Sequence, residues 1–154
     1  MADEDETDAV VLDGASLTPE DVVAVAREGA TVDIGDDARE AVCESRERVE
    51  TVLESGEAVY GVNTGFGELV DERIPDDDLE SLQVNLVRSH AAGVGRELTR
   101  EEVRAMMVAR VNALSKGYSG VRERVLDLLV RMLNAGVHPV VPSRGSLGAS
   151  GDLA

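Results

Sequence analysis

The sequence predicts a mainly α-helical domain with a small α/β start at its amino terminus. Three observations carry that expectation. From Asp37 onward, apolar residues recur at spacings of three and four, the period of helices that each bury one face. Aromatic residues make up 2% of the chain and tryptophan is absent, so the core has to be built from Val, Leu, Ala and Met, a composition that leans helical. Two short β-branched runs closed by glycine, "AVVLDG" and "ATVDIG", lie near the start and read as strands.

Taken in order, residues 1–8 form an acidic tail, expected to be flexible, with residues 9–154 as the domain. Between the two strand-like runs lies "SLTPEDVVAVAREG". Thr18 suits the N-cap, Pro19 the first turn and Gly29 the stop, giving a strand-helix-strand unit. A second helix is expected from about Asp37 to Ser55, ending at Gly56. From Asp76 a third carries Leu79, Leu82, Leu86, Val87 and His90 on one face, expected to be buried. Thr99 with Glu102 forms a capping box opening a fourth helix, whose apolar face is Val103, Met106, Met107, Val111 and Leu114. "KGYSG" ends it, with Tyr118 as a packing residue at the helix end. The last helix carries Val121, Val125, Leu128, Leu129, Met132 and Leu133 and stops at Gly136; His138 then falls in a loop.

The 154 residues, 43% of them hydrophobic, suffice for one globular domain or part of one. The charge is extreme: 31 acidic against 15 basic residues give a net charge of −16. That field repels phosphate backbones and anionic lipid, so nucleic acid and membrane surfaces are not expected partners. The acids are spread along the chain and Lys116 is the only lysine. This pattern suits a protein working in concentrated salt, where screening removes self-repulsion; an ordinary acidic cytosolic protein is the alternative. Cys43 is alone, which rules out an intramolecular disulfide and fits a small, buried or half-buried apolar filler better than a reactive thiol. No signal peptide or apolar run near 18 residues is evident, so a soluble, cytoplasmic protein is expected. Two histidines 48 positions apart, without a carboxylate cluster, give no metal-ligand spacing.

Two Gly-rich loops remain, "YGVNTGFG" at Tyr60 to Gly67 and the terminal "SRGSLGASGDLA". The first lacks the Lys and Ser/Thr of a phosphate-binding loop and does not fit the dinucleotide fingerprint, so no nucleotide is expected. The second does not fit a nucleophile elbow, because Gly151 follows Ser150 directly. Ala149-Ser150-Gly151 suits a different chemistry. In a tight bend the Gly151 nitrogen, unhindered by a side chain, attacks the Ala149 carbonyl, and loss of water closes an imidazolone. Loss of a second water from Ser150 leaves an exocyclic methylene, an electrophile no ordinary side chain supplies. Taken alone, such a tripeptide is a flexible turn in most proteins.

Four motifs in order, "YGVNTGFG", "NLVRSHAAGVG", "NALSKGYSGVR" and "GSLGASGDLA", resemble the amino-terminal part of the aromatic amino acid ammonia-lyases. They span Tyr60 to Ala154, about the last two-thirds of the chain. The resemblance implies the all-helical fold shared with fumarase and aspartase. It also implies a 4-methylideneimidazole-5-one group formed from Ala149, Ser150 and Gly151, with no metal or nucleotide.

Within the family, Ser89-His90 resembles the histidine-specific members, where phenylalanine- and tyrosine-specific relatives usually carry Phe-Leu or His-Leu. Read by periodicity alone, His90 is a hydrogen-bonded core histidine; with the resemblance it meets substrate. The implied reaction eliminates ammonia from L-histidine to give trans-urocanate. Tyr60 matches the residue that removes the β-proton, a task for which its phenol, with an ordinary pKa of about 10, needs nearby positive potential. A structural tyrosine is the alternative. Ser89, His90, Asn63 and Gly67 are implied at the substrate, and Asn63, Thr64, Gly65 and Gly67 shape the covering loop. Asp152 either helps cyclisation or caps a following helix.

Family members continue for several hundred residues and assemble as homotetramers in which different subunits complete each site. The chain is therefore expected to represent the first portion of such an enzyme, short of the central helical bundle and inactive alone. A phenylalanine or tyrosine ammonia-lyase or an aminomutase is the alternative within the family, and a non-catalytic acidic helical interaction module the alternative outside it.

Overall fold

A computed structural model describes residues 9–59, 62–64, 76–148 and 151–153. The chain divides into two units within helix α2 (Asp36–Ser55): one takes residues up to Glu47 with Leu98–Val140, the other Arg48–Glu97 with residues from Val141 on.

The first unit opens as expected. Strand β1 (Val10–Leu12) and strand β2 (Val32–Ile34) pair in parallel, Val10 opposite Val32 and Leu12 opposite Ile34. Leu12, Val32 and Ile34 are buried while Val11 is 54% exposed, the alternation of a strand with one covered face. Helix α1 (Pro19–Val23) connects them, with a complete Thr18–Asp21 capping box and Pro19 in the first turn. It continues as a π-helical segment, Ala24–Glu28, closed by Gly29 in the left-handed region at φ 82°. The sequence carries no signal for that wider turn. At the other end of the unit, the Asn134 side chain accepts from the Val32 N–H and donates to the Val32 carbonyl, both at 2.9 Å.

Helix α4 (Arg100–Leu114) has the predicted Thr99–Glu102 capping box and packs on the π segment and on helix α5 (Glu123–Asn134). Val103, Met107, Val111 and Leu114 are buried as expected, but Met106 is 50% exposed. At 100° per residue it lies about 120° from the middle of the buried stripe. Val108 and Arg104 complete that stripe instead.

In α5 the inward face differs from the expected one. Leu126, Val130 and Leu133 are buried, whereas Val125 and Leu128 are 38% and 56% exposed. This helix is apolar around more than half its circumference, and packing against α4 selects the 126/130/133 stripe. Tyr118, expected to pack, is 87% exposed. It follows Gly117, whose own place against the Ala41 backbone carries the turn. His138 does lie in a loop.

The second unit holds the rest of α2, helix α3 (Asp76–His90), strand β3 (Val94–Glu97), strand β4 (Pro142–Arg144) and the pair β5 (Ser146–Gly148) and β6 (Gly151–Leu153). Helix α3 spans the predicted stretch, but none of the described side chains of its predicted face is buried. Val87 is 69% exposed and Leu82 and His90 are half-buried, and the Leu79 and Leu86 side chains lie outside the described ones. Among the described residues, every buried apolar side chain belongs to the first unit. A 3.6-residue period states that a face exists, not that this unit supplies its cover. No described helix is long and apolar enough to cross a membrane.

Candidate active site

The sequence-predicted site residues all fall in the second unit. Helix α2 ends at Ser55, whose hydroxyl donates to the Val52 carbonyl and accepts from the Glu57 N–H. The chain then turns through a short loop held by Asn63. Its Oδ1 accepts from the Val59 N–H at 2.8 Å and its Nδ2 donates to the Glu57 carbonyl at 2.8 Å. The Val59 carbonyl accepts from the N–H groups of Val62 and Asn63. Asn63 and Thr64 are both 2% exposed, so the loop buries polar side chains and satisfies the Asn63 amide internally. Tyr60, Gly65 and Gly67 lie outside the described residues.

Ser89 and His90 form the last turn of α3, where Arg88 and His90 also complement the negative end of the helix dipole. The Ser89 hydroxyl lies 2.9 Å from His90 Nδ1, so the ring nitrogen on that side is engaged and the tautomer decides which partner donates. His90 is half-buried and Ser89 exposed.

From His90 the chain passes through two alanines and Gly93 into β3, which pairs antiparallel with β4, Val94 opposite Arg144 and Glu97 opposite Pro142. The approach is close at Gly93, where a Cβ would stand 2.6 Å from Pro142 Cγ, a contact only glycine tolerates without a shift. Strand β4 leads through Gly145 into β5. Strands β5 and β6 pair antiparallel with Gly148 opposite Gly151. Ala149 and Ser150, the residues between those partners in sequence, lie outside the described residues, as do the side chains of β6, including Asp152.

One ladder therefore ties the strand that follows Ser89-His90 to β4, the strand that precedes β5 and the Ala149-Ser150-Gly151 tripeptide in the chain, although more than 40 residues separate the paired strands in sequence. Each motif was visible on its own, but the pairing of β3 with β4 was not. The closest available signal was a glycine, Gly93, and a proline, Pro142, flanking short β-branched stretches.

Other candidate groups are accounted for structurally. Cys43 is half-buried, and its thiol points at Glu123 with Sγ 3.7 Å from Oε2. Burial first, and the Glu123 charge second, push its pKa up, which keeps it a thiol and a poor nucleophile. Arg39 gathers Asp33, Glu123 and Asp127 at 3.4, 3.1 and 2.7 Å, with Asp127 foremost in raising its pKa. Among the described residues no group of three or more His, Cys, Asp or Glu is placed to hold a metal ion.

The sequence profile of the family described as aromatic amino acid lyase matches residues 17–154. A probable histidine ammonia-lyase of Halobacterium salinarum is 68% identical over 148 residues, covering 96% of this chain and 28% of its own length. Two crystal structures share the fold. Tyrosine aminomutase from Streptomyces globisporus is 43% identical with a TM-score of 0.85, over 90% of this chain and 26% of its own. Histidine ammonia-lyase from Trypanosoma cruzi is 42% identical with a TM-score of 0.83, over 91% and 27%. The chain thus spans about 28% of the length of the curated relative it matches. An aminomutase and a histidine lyase superpose on it equally well, so the fold alone does not choose the substrate.

Proposed function

The chain belongs to the aromatic amino acid lyase family, and we propose that it is the part of a histidine ammonia-lyase that forms the electrophilic group and carries the first substrate contacts. The reaction is the elimination of ammonia from L-histidine, giving trans-urocanate. The observation that most supports this reading is the β3–β4 ladder, which pairs the strand following Ser89-His90 with the strand that leads in the chain, through Gly145 and β5, toward Ala149-Ser150-Gly151.

The residues suit the group. Gly148 stands opposite Gly151 with no side chain on either, and Ala149, Ser150 and Gly151 are the residue types that condense with loss of two waters. When formed, 4-methylideneimidazole-5-one supplies an electrophile for the substrate. The other roles belong to side chains. Tyr60 takes the β-proton, and Ser89 and His90 meet the imidazole or orient the carboxylate. Asn63 and Gly67 belong to the loop beside them. In this reading the working enzyme is a cytoplasmic homotetramer that binds neither nucleic acid nor membrane, with residues 9–154 as one part of its subunit and residues 1–8 as a flexible acidic tail.

The test is a chimera in which this chain replaces the aligned 148 residues of the Halobacterium salinarum relative. Release of urocanate from histidine, followed by ultraviolet absorbance, together with an intact mass lower by two waters, is the expected result. An unaltered mass would favour a non-catalytic helical module. Full mass loss with turnover of phenylalanine or tyrosine in place of histidine would favour a lyase or aminomutase for those substrates.

A further inference from the structure

Asn63 is 2% exposed, and both heavy atoms of its amide bond to the backbone of its own loop, Oδ1 to the Val59 N–H and Nδ2 to the Glu57 carbonyl. The pattern fixes the identity of the side chain. An accepting oxygen and a donating nitrogen are both required, one for the residue four positions back and one for the residue six back, which aspartate cannot provide because it has no donor and serine cannot span. The Val62 and Asn63 N–H groups close on the Val59 carbonyl from the other side. Together these bonds join Glu57 and Val59 to Asn63, and the residue that follows Val59 in the chain is Tyr60. An amide engaged this way is directed at its own backbone and not at a ligand.

We infer that Asn63 is a positioning residue for the lyase reaction, a clamp that fixes the segment carrying Tyr60 and does not itself contact substrate. The inference rests on the reading of Tyr60 as the base above. A phenol that removes a carbon-bound proton has to sit within hydrogen-bond reach of it. The described residues of the segment, Glu57 to Val59 and Val62 to Asn63, belong to no strand or helix, so the Asn63 bonds are what hold Glu57 and Val59.

The experiment uses the chimera with the Halobacterium salinarum relative and compares Asn63→Ala and Asn63→Asp with Tyr60→Phe. A clamp predicts that both Asn63 variants lose kcat by about 10- to 100-fold, the scale of a misplaced catalytic group, while KM for histidine stays nearly constant. It also predicts that Asn63→Ala adds little further loss in a Tyr60→Phe background, because both changes remove one function. A KM raised with kcat intact, or losses that multiply in the double variant, would overturn it. Hydrogen exchange at the Val59 amide is the second measurement, made on the chain without regard to turnover. Asn63→Ala should speed it at least ten-fold, and unchanged exchange refutes the clamp. Absence of histidine turnover in the parent chimera would count against the function proposed above, while the exchange result would still decide the clamp.

Discussion

Arg104 carries a charge into the apolar centre of the first unit at 2% exposure, where its bonds run to backbone carbonyls. Its Nε and Nη2 donate to the Val25 carbonyl at 3.0 and 2.8 Å, and its Nη1 to the Leu133 carbonyl at 2.7 Å. Val25 lies in the π segment and Leu133 in the last turn of α5, so one guanidinium meets carbonyls near two helix ends, where a cation is favoured. Burial, with Arg100 adding to it, lowers its pKa, yet guanidinium remains protonated throughout the usual range. Arg104→Met should destabilise the chain by about 2 to 4 kcal/mol, the scale of several charge-assisted bonds lost in a buried site. Arg104→Lys should recover only part of that, since a point charge cannot reproduce the fork. Urea unfolding monitored by circular dichroism is the check, and a neutral Arg104→Met would refute the account.

Asp13 illustrates a surface effect with a definite sign. Its carboxylate accepts from the Ser16 and Ala15 N–H groups, both at 2.7 Å, and these bonds, Ser16 foremost, lower its pKa from 3.8 to about 2. A folded pKa below the unfolded one stabilises fully above the unfolded value and is lost as pH falls through the folded one. The Ala15 and Ser16 amide shifts should therefore titrate with a midpoint near 2. A midpoint at 3.8 would mean the turn does not hold the carboxylate. For Ser150, replacement by alanine in the chimera should abolish urocanate formation and leave the mass short of only one water at most, since alanine cannot lose the second.

At the scale of elements, the end of α3 is where selectivity is expected to reside. Ser89→Phe with His90→Leu exchanges the hydroxyl-imidazole pair, 2.9 Å apart, for an apolar wall. In the chimera the ratio of kcat/KM for histidine over phenylalanine should fall by at least about ten-fold, the scale of a changed pocket contact; an unmoved ratio would end the claim. The helices also show what periodicity can reveal. The N-cap at Thr18, the capping box at Thr99 and the stop at Gly29 were legible because they rest on local bonds between residues three to five apart. The inward face of α5 was not, because Val125-Leu128-Met132 and Leu126-Val130-Leu133 both satisfy helical spacing. Only the position of α4 distinguishes them. Arg104 was missed for the opposite reason: it lies on the stripe with Val108 and Val111, but its charge reads as a surface residue until the carbonyls it meets are known.

For the whole molecule the net charge of −16 dominates. Repulsion among 31 carboxylates is screened beyond about 3 Å at 1 M salt, so we expect Tm to rise between low salt and molar potassium chloride. A flat or falling Tm by scanning calorimetry would remove the reading of a salt-adapted surface.

What the sequence determined by itself was the chemistry: a tripeptide able to condense, a Ser-His pair, a tyrosine beside a Gly-rich loop, and the capped helices and glycine-closed strands between them. These are properties of side chains and of bonds within a turn or two, so they are written in consecutive residues. The tertiary structure alone decided which faces turn inward, that the Asn63 amide spends itself on backbone, and that β3, which follows Ser89-His90 in the chain, pairs with β4, which precedes β5 and the Ala-Ser-Gly tripeptide. Those depend on contacts between residues far apart in the chain, or on a choice among equally periodic faces. A linear pattern names the candidates for such contacts and leaves the pairing to packing.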